Sequence, residues 1–157
     1  MELVKVGDTA PEFSIKDNHK EVVKLSDYLG KKVLLSWHPQ AWTSVCTDQM
    51  RALEANWDRF QALNTVPLGM SVDAIPCKAA WAAVLSIRNM HLPCDFWPHG
   101  KVAADYGIFI DKIGMSERAN ILVDETGKVI WVKVYPMKEL PDIQEVFAVL
   151  EGKTGSV

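Results

Sequence analysis

No apolar stretch in this chain approaches the ~20 residues that a helix needs to cross a bilayer, so a membrane-spanning role is not expected. Basic residues are short too. The 17 Lys and Arg are outnumbered by 20 Asp and Glu, the formal net charge is -3, and no basic cluster shares one face. That removes the electrostatic footprint of a nucleic-acid partner. Cysteine is scarce: three, an odd number at wide spacing, which argues against a fixed disulfide framework and for reactive thiols in a reducing compartment. No Cys-x-x-Cys occurs, so the usual dithiol-exchange centre is missing. The opening residues Met1-Glu2-Leu3-Val4-Lys5 form no charged-then-apolar leader, so a cytoplasmic protein is expected. Repeats, low-complexity tracts and linkers are also lacking. One domain over residues 1–157 is the expectation, with enough length for an ordinary core.

Against these absences one segment stands out, Pro39-Gln-Ala-Trp-Thr43-Ser-Val-Cys46. It follows the apolar run Val33-Leu34-Leu35-Ser36-Trp37, which reads as a buried strand. Cys46, Met50, Leu53, Trp57 and Phe60 then recur at steps of four, three, four and three, the stripe of a helix packed on a core. Cys46 therefore sits in the first turn of a helix behind a strand. Unpaired N–H groups and the positive end of the helix dipole face its sulfur there, the setting in which a thiol becomes a thiolate.

The rest of the chain reads as alternating strands and helices. Phe13-Ser14-Ile15 and Glu21-Val22-Val23 flank a polar turn as a hairpin. Pro67 to Asp73 reads as a second buried strand, and Pro76 opens a helix to about Met90. A helix near Val102 to Tyr106 is followed by strands Asn120–Val123 and Val129–Val134 around Asp124-Glu125-Thr126-Gly127. Pro141 to Leu150 is the last helix, and the tail Gly152–Val157 is expected to fray. This order implies an α/β sheet with helices on both faces.

Pro39, Thr43 and Cys46 match the pattern Pro-x-x-x-Thr/Ser-x-x-Cys, and in this the chain resembles the peroxiredoxins, thiol-dependent peroxidases on a thioredoxin-like fold. Three further segments carry the resemblance, in the right order: Val6-Gly7-Asp8-Thr9-Ala10-Pro11-Glu12-Phe13, Asp95-Phe96-Trp97-Pro98-His99-Gly100, and Arg118-Ala119-Asn120-Ile121-Leu122-Val123-Asp124. The resemblance implies a central mixed sheet with an N-terminal β-hairpin extension. It also implies that Arg118 is the active-site arginine, at the start of a strand antiparallel to the one before Cys46. The C-terminal edge of the sheet would then gather Thr43, Cys46, Arg118 and the helix start at Cys77.

Peroxide reduction needs a thiolate that attacks one oxygen while the other leaves as hydroxide. A free thiol of pKa ~8.5 is only a few per cent ionised at pH 7. The Thr43 hydroxyl, the Arg118 guanidinium and a backbone N–H near Cys46 would align the two oxygens and stabilise developing negative charge. Pro39 would shield the sulfur and limit over-oxidation. Each residue has a plainer reading: an inert buried Cys46, Thr43 as a helix cap, Pro39 as a strand terminator, Arg118 as a surface charge. Together at this spacing they favour chemistry. No metal, haem or flavin is implied. His91, Cys94 and His99 contain three possible ligands, but three within nine residues rarely suffice for a metal site. His38 either tunes the thiolate or is a hydrogen-bonded structural histidine, with the structural role favoured.

A sulfenic acid on Cys46 must be reduced by a thiol. The position five residues on, which carries a resolving cysteine in some relatives, is Arg51. The chain also ends soon after Leu150, without the long arm of the typical two-cysteine subfamily. Cys77 is the first choice as resolving cysteine, with Cys94 or an external thiol, from a thioredoxin-like protein or a small molecule, as alternatives. Trp42 in the loop and Trp81 on the Cys77 helix line the pocket, a dimer surface or the core, and the resemblance implies a homodimer. The rival readings are a thiol-disulfide exchange protein and a redox sensor on the same fold.

Overall fold

The computed structural model describes residues 2–153. A short hairpin comes first, β1 (Ser14–Lys16) with β2 (Val22–Lys24). Asp17 makes its turn: one carboxylate oxygen accepts the N–H groups of His19 at 2.8 Å and Glu21 at 3.0 Å. A 3-10 turn, Leu25–Tyr28, leads to the central sheet.

That sheet has four strands in the order β4-β3-β7-β8: β3 (Lys32–Trp37), β4 (Thr65–Met70), β7 (Arg118–Val123) and β8 (Val129–Tyr135). β3 runs parallel to β4 and antiparallel to β7, and β7 pairs antiparallel with β8. β5 (Phe109–Ile110) and β6 (Met115–Ser116) form a small separate pair. Period-two alternation along β3 explains its apolar run. Val33, Leu35 and Trp37 point to one core and Leu34 to the other, so both faces are covered. Pro67 is tolerated because β4 is the edge of the four-stranded sheet. Its outer side is closed by the 91–94 segment, through bridges Leu68↔His91 and Ser71↔Cys94.

On one face lie α1 (Ser44–Ala55), α3 (Ile75–Val84) and α5 (Ile143–Leu150), which bury Met50, Leu53, Trp81, Val146 and Phe147 with Leu34 and Leu122. The other face is covered by α4 (Lys101–Asp105), the segment after it, and the hairpin, through Val102, Tyr106, Val23 and Phe13. Helices on both faces of a mixed sheet, with an N-terminal hairpin, agree with the fold expected from the sequence.

Several boundaries differ: β4 begins at Thr65 and ends at Met70, short of the expected Asp73, and α5 begins at Ile143 and not at Pro141. The stripe from Cys46 to Phe60 is two helices, α1 and α2 (Trp57–Ala62), broken at Asn56. The helix expected to reach Met90 ends at Val84. Ser86 adopts a left-handed φ of 57°. The Glu54 carboxylate then accepts the backbone N–H groups of Arg88, Asn89 and Met90 at 2.7–3.1 Å, giving these donors a side-chain partner where a helix would supply carbonyls. In the tail, Gly152 and Lys153 stay bonded to the carbonyls of Val149 and Ala148, and residues 154–157 lie outside the described residues.

Candidate active site

The register of the sheet builds the site. β3 ends at Trp37 opposite Met70 of β4 and Ala119 of β7. The next residues, His38-Pro39, therefore leave the sheet beside Arg118, the first residue of β7. The loop from Pro39 to Thr43 is tied to the neighbouring strand-to-helix connection. Ala41 N–H donates to the Asp73 carboxylate at 2.9 Å, and Trp42 Nε1 donates to the Cys77 carbonyl at 3.3 Å. Trp42 itself holds a left-handed φ of 73°. α1 then starts at Ser44, so Cys46 falls in its first turn.

The Cys46 sulfur is fully buried, and Arg118 Nη1 approaches it at 3.4 Å. Arg118 is 3% exposed and held on two sides. Nη1 also donates to Gln49 Oε1 at 2.7 Å, while Nε and Nη2 both donate to the Met137 carbonyl, at 3.2 and 2.8 Å. A guanidinium has five N–H donors. With these four contacts made, one N–H on Nη2 is left without a protein acceptor among the described residues. Gln49 is fixed in turn: its Nε2 donates to Ser36 Oγ at 2.8 Å and to the Trp37 carbonyl at 3.2 Å. Ser36 Oγ donates onward to Asn120 Oδ1 at 2.8 Å.

A cavity of about 300 Å³ opens above this arrangement, lined by Pro39, Thr43, Val45, Met115, Arg118 and Met137 among others. Thr43 makes no side-chain cap to α1; its hydroxyl donates to the Gln40 carbonyl at 2.8 Å. That bond fixes the rotor and leaves the oxygen lone pairs free to accept. The structure thus brings Pro39, Thr43 and Arg118 to one opening, with Cys46 directly behind the guanidinium.

A second buried polar cluster lies on the α3 side. Lys78 is fully buried, and its ammonium donates to the Gly69 carbonyl and Ser71 Oγ, both at 2.8 Å, and to the Pro93 carbonyl at 3.2 Å. It also lies 3.5 Å from His38 Nε2. Burial pushes Lys78 down to about 8, opposed by the sulfurs of Cys94, Cys46 and Cys77 and by Asp73. His38 is likewise buried and held well below its ordinary value, by burial first and then by the Lys78 and Arg118 cations, so it is neutral. Its ring packs 5.2 Å from Trp81.

Cys77 is half-buried in the first turn of α3, its thiol pushed up by burial and by Asp73. Burial pushes Cys94 up to about 11, against the pull of Lys78. The three residues weighed as a metal set have separate partners: His91 pairs with Asp17 at 2.6 Å, Cys94 contacts the Leu92 carbonyl, and His99 contacts the Gly114 carbonyl. Asp17, Glu21 and His91 do converge, but the Asp17 carboxylate is already used by the hairpin turn and by His91.

Sequence reasoning passed over Gln49, Lys78 and the Met137 carbonyl. Gln49 lies three residues after Cys46, a polar residue inside an apolar stripe, and Lys78 is the one charge in the apolar helix after Cys77. Both were readable as anomalies. A backbone carbonyl leaves no sequence signal.

Comparison with known proteins agrees with the geometry. A family model described as the AhpC/TSA family matches residues 6–132. The chain is 32% identical over 141 residues to alkyl hydroperoxide reductase E of Mycobacterium tuberculosis, covering 89% of this chain and 92% of that protein. It is 31% identical over 154 residues to the mitochondrial thioredoxin-dependent peroxide reductase of Drosophila melanogaster, covering 94% of this chain and 64% of that one. Among solved structures, the reduced 2-Cys peroxiredoxin of Plasmodium vivax superposes with a TM-score of 0.83 at 28% identity, over 94% of this chain and 81% of that one.

Proposed function

The chain belongs to the AhpC/TSA family, and from that premise we propose that Cys46, Thr43, Arg118 and Pro39 are the working residues of a thiol-dependent peroxidase. The observation that carries the assignment is the Arg118 guanidinium 3.4 Å from the Cys46 sulfur, with one N–H to spare. The Cys46 thiolate attacks one oxygen of the peroxide, the O–O bond breaks, and the second oxygen leaves as hydroxide. Sulfur is oxidised by two electrons to the sulfenic acid. In this pose the peroxide O–H donates to the Thr43 oxygen, which is free to accept because its own O–H is turned to the Gln40 carbonyl. The spare Nη2–H of Arg118 meets the oxygen that gains charge. Donors aimed at developing charge in a dry site are commonly worth several kcal/mol. The cavity of about 300 Å³ admits hydrogen peroxide and small organic hydroperoxides. Pro39, buried at its wall, limits water.

Cys77 is the resolving thiol in this reading. Its attack on the sulfenic acid releases water and forms a Cys46–Cys77 disulfide. The alpha carbons must come within ~7 Å, so the first turns of α1 and α3 have to open. Neither helix has a side-chain cap at its start, whereas Asp142 caps α5. A cap is typically worth ~1 kcal/mol, so its absence eases that opening. The thiol pushed up at Cys77 makes this step faster as pH rises above neutral. A thioredoxin-type protein or a small thiol returns the electrons. A cytoplasmic setting suits the three free thiols, and a homodimer would cover the exposed Trp42, Trp97 and Ile113.

Peroxide consumption with dithiothreitol, before and after Cys46→Ser, tests the assignment. Turnover is expected to vanish in the variant; unchanged turnover would overturn it.

A further inference from the structure

Lys78 ties two cysteines together. It follows Cys77 directly in α3, and its ammonium donates to the carbonyl of Pro93, the residue before Cys94, at 3.2 Å. The same ammonium holds Ser71 Oγ at 2.8 Å. Ser71 in turn accepts Asp95 N–H at 2.8 Å through its carbonyl and forms a parallel bridge with Cys94. The segment around Cys94 is thus fastened to the start of α3 from both sides. Ala74, Ile75, Pro76 and Cys94 line one groove of about 600 Å³. Lys78 and Cys77 both act on the Cys94 thiol, the cation drawing it down and the neighbouring sulfur pushing it up.

We propose that Cys77 and Cys94 form a second redox centre, which takes the disulfide from Cys46 and presents it at this groove for reduction. The proposal rests on Cys77 resolving the Cys46 sulfenic acid. The Cys94 thiolate attacks the Cys77 sulfur of the Cys46–Cys77 disulfide. A Cys77–Cys94 bond forms, the Cys46–Cys77 bond breaks, and the electron pair leaves on Cys46. Total oxidation is unchanged, and the Cys94 proton goes to solvent through the groove. The direction follows from leaving-group chemistry. Exchange favours departure of the sulfur that best carries negative charge. Cys46 has a guanidinium at 3.4 Å and lies in the first turn of α1, whereas burial holds the Cys94 thiol up despite the nearby Lys78. Lys78 assists by stabilising the Cys94 anion while it attacks. The consequence is that Cys46 is freed for another peroxide while the oxidising equivalent waits at the groove.

Two arms test this separately from the peroxidase reading. In the first, Cys46→Ser is treated with diamide under native conditions and its remaining thiols are alkylated and mapped. One intramolecular Cys77–Cys94 disulfide is expected, and two free thiols would overturn the second centre. In the second, wild-type protein receives one equivalent of hydrogen peroxide, is quenched over time and is mapped. A Cys46–Cys77 disulfide is expected first, followed by Cys77–Cys94 with Cys46 alkylatable again. In Cys94→Ser the first disulfide is expected to accumulate. A Cys46–Cys77 bond that persists in wild type would overturn the transfer and leave Cys77 as resolving thiol. A sulfenic acid that never meets Cys77 would overturn the resolving step and the transfer. Unoxidised Cys46 would defeat the peroxidase reading, with the diamide result still deciding the Cys77–Cys94 pair.

Discussion

Replacing Arg118 separates catalysis from packing, because this side chain makes four polar contacts while 3% exposed. Arg118→Ala removes the donor that the proposed mechanism aims at the breaking O–O bond. Loss of one such donor costs about 10²–10³ in rate, or about 3–4 kcal/mol. It also strips Gln49 Oε1 of its partner, and an unsatisfied buried acceptor costs about 1–3 kcal/mol, whereas the carbonyl of the exposed Met137 can turn to water. Arg118→Lys keeps a charge but loses the fork. One ammonium does not reproduce the planar set of contacts to Gln49, Met137 and Cys46, so a loss of roughly 10-fold or more is expected. The assay is kcat/KM for hydrogen peroxide, measured beside the rate of iodoacetamide alkylation at Cys46 and the unfolding midpoint. Alkylation depends on the sulfur alone, whereas peroxide reduction also depends on stabilising the departing oxygen. Both variants are expected to slow the peroxide reaction at least ten times more than alkylation. Equal losses in the two reactions, with the fold retained, would refute a role for Arg118 at the O–O bond.

Two further predictions concern the frame around the site. Asp95 is 1% exposed and accepts the N–H groups of Val102 and Ala103 at the start of α4, and burial raises it to about 6. Its folded value exceeds its unfolded value of 3.8, so the folded chain binds the extra proton between those pH values. The stabilising contribution is present below pH ~4 and is lost as pH rises through about 6. Compared with Asp95→Asn, wild type is therefore expected to lose about 2 kcal/mol between pH 4 and 7, read by urea unfolding at each pH; a flat difference would contradict it. Glu54→Ala frees three backbone N–H groups in the 88–90 loop and is expected to cost about 2 kcal/mol, lowering the midpoint by about 4–8 °C. A change under 1 °C would show that water replaces the carboxylate.

Much of this site was legible because it depends on parity and direction. A buried strand followed by a helical stripe fixes Cys46 in a first helical turn. An antiparallel β7 then returns Arg118 to the same edge, opposite the end of β3. What was not legible depends on side chains reaching across the fold. Glu54 ends the α3 region by collecting N–H groups thirty-four to thirty-six residues away, and no local pattern announces that. The break at Asn56 leaves the apolar stripe unbroken, so periodicity alone joins α1 and α2. Arg118 is held largely by the Met137 carbonyl, a group every residue carries. Lys78 does carry a local signal. One cation in an otherwise apolar helix needs buried acceptors, and it has three in Gly69, Ser71 and Pro93.

The most direct test of the central claim is intact-mass and peptide analysis after one equivalent of hydrogen peroxide, with dimedone present as a sulfenic-acid trap. In the Cys77→Ser, Cys94→Ser double variant, a single dimedone adduct on Cys46 is expected, formed much faster than on a free cysteine. An adduct elsewhere, or a Cys46 that reacts no faster than free cysteine, would contradict the account.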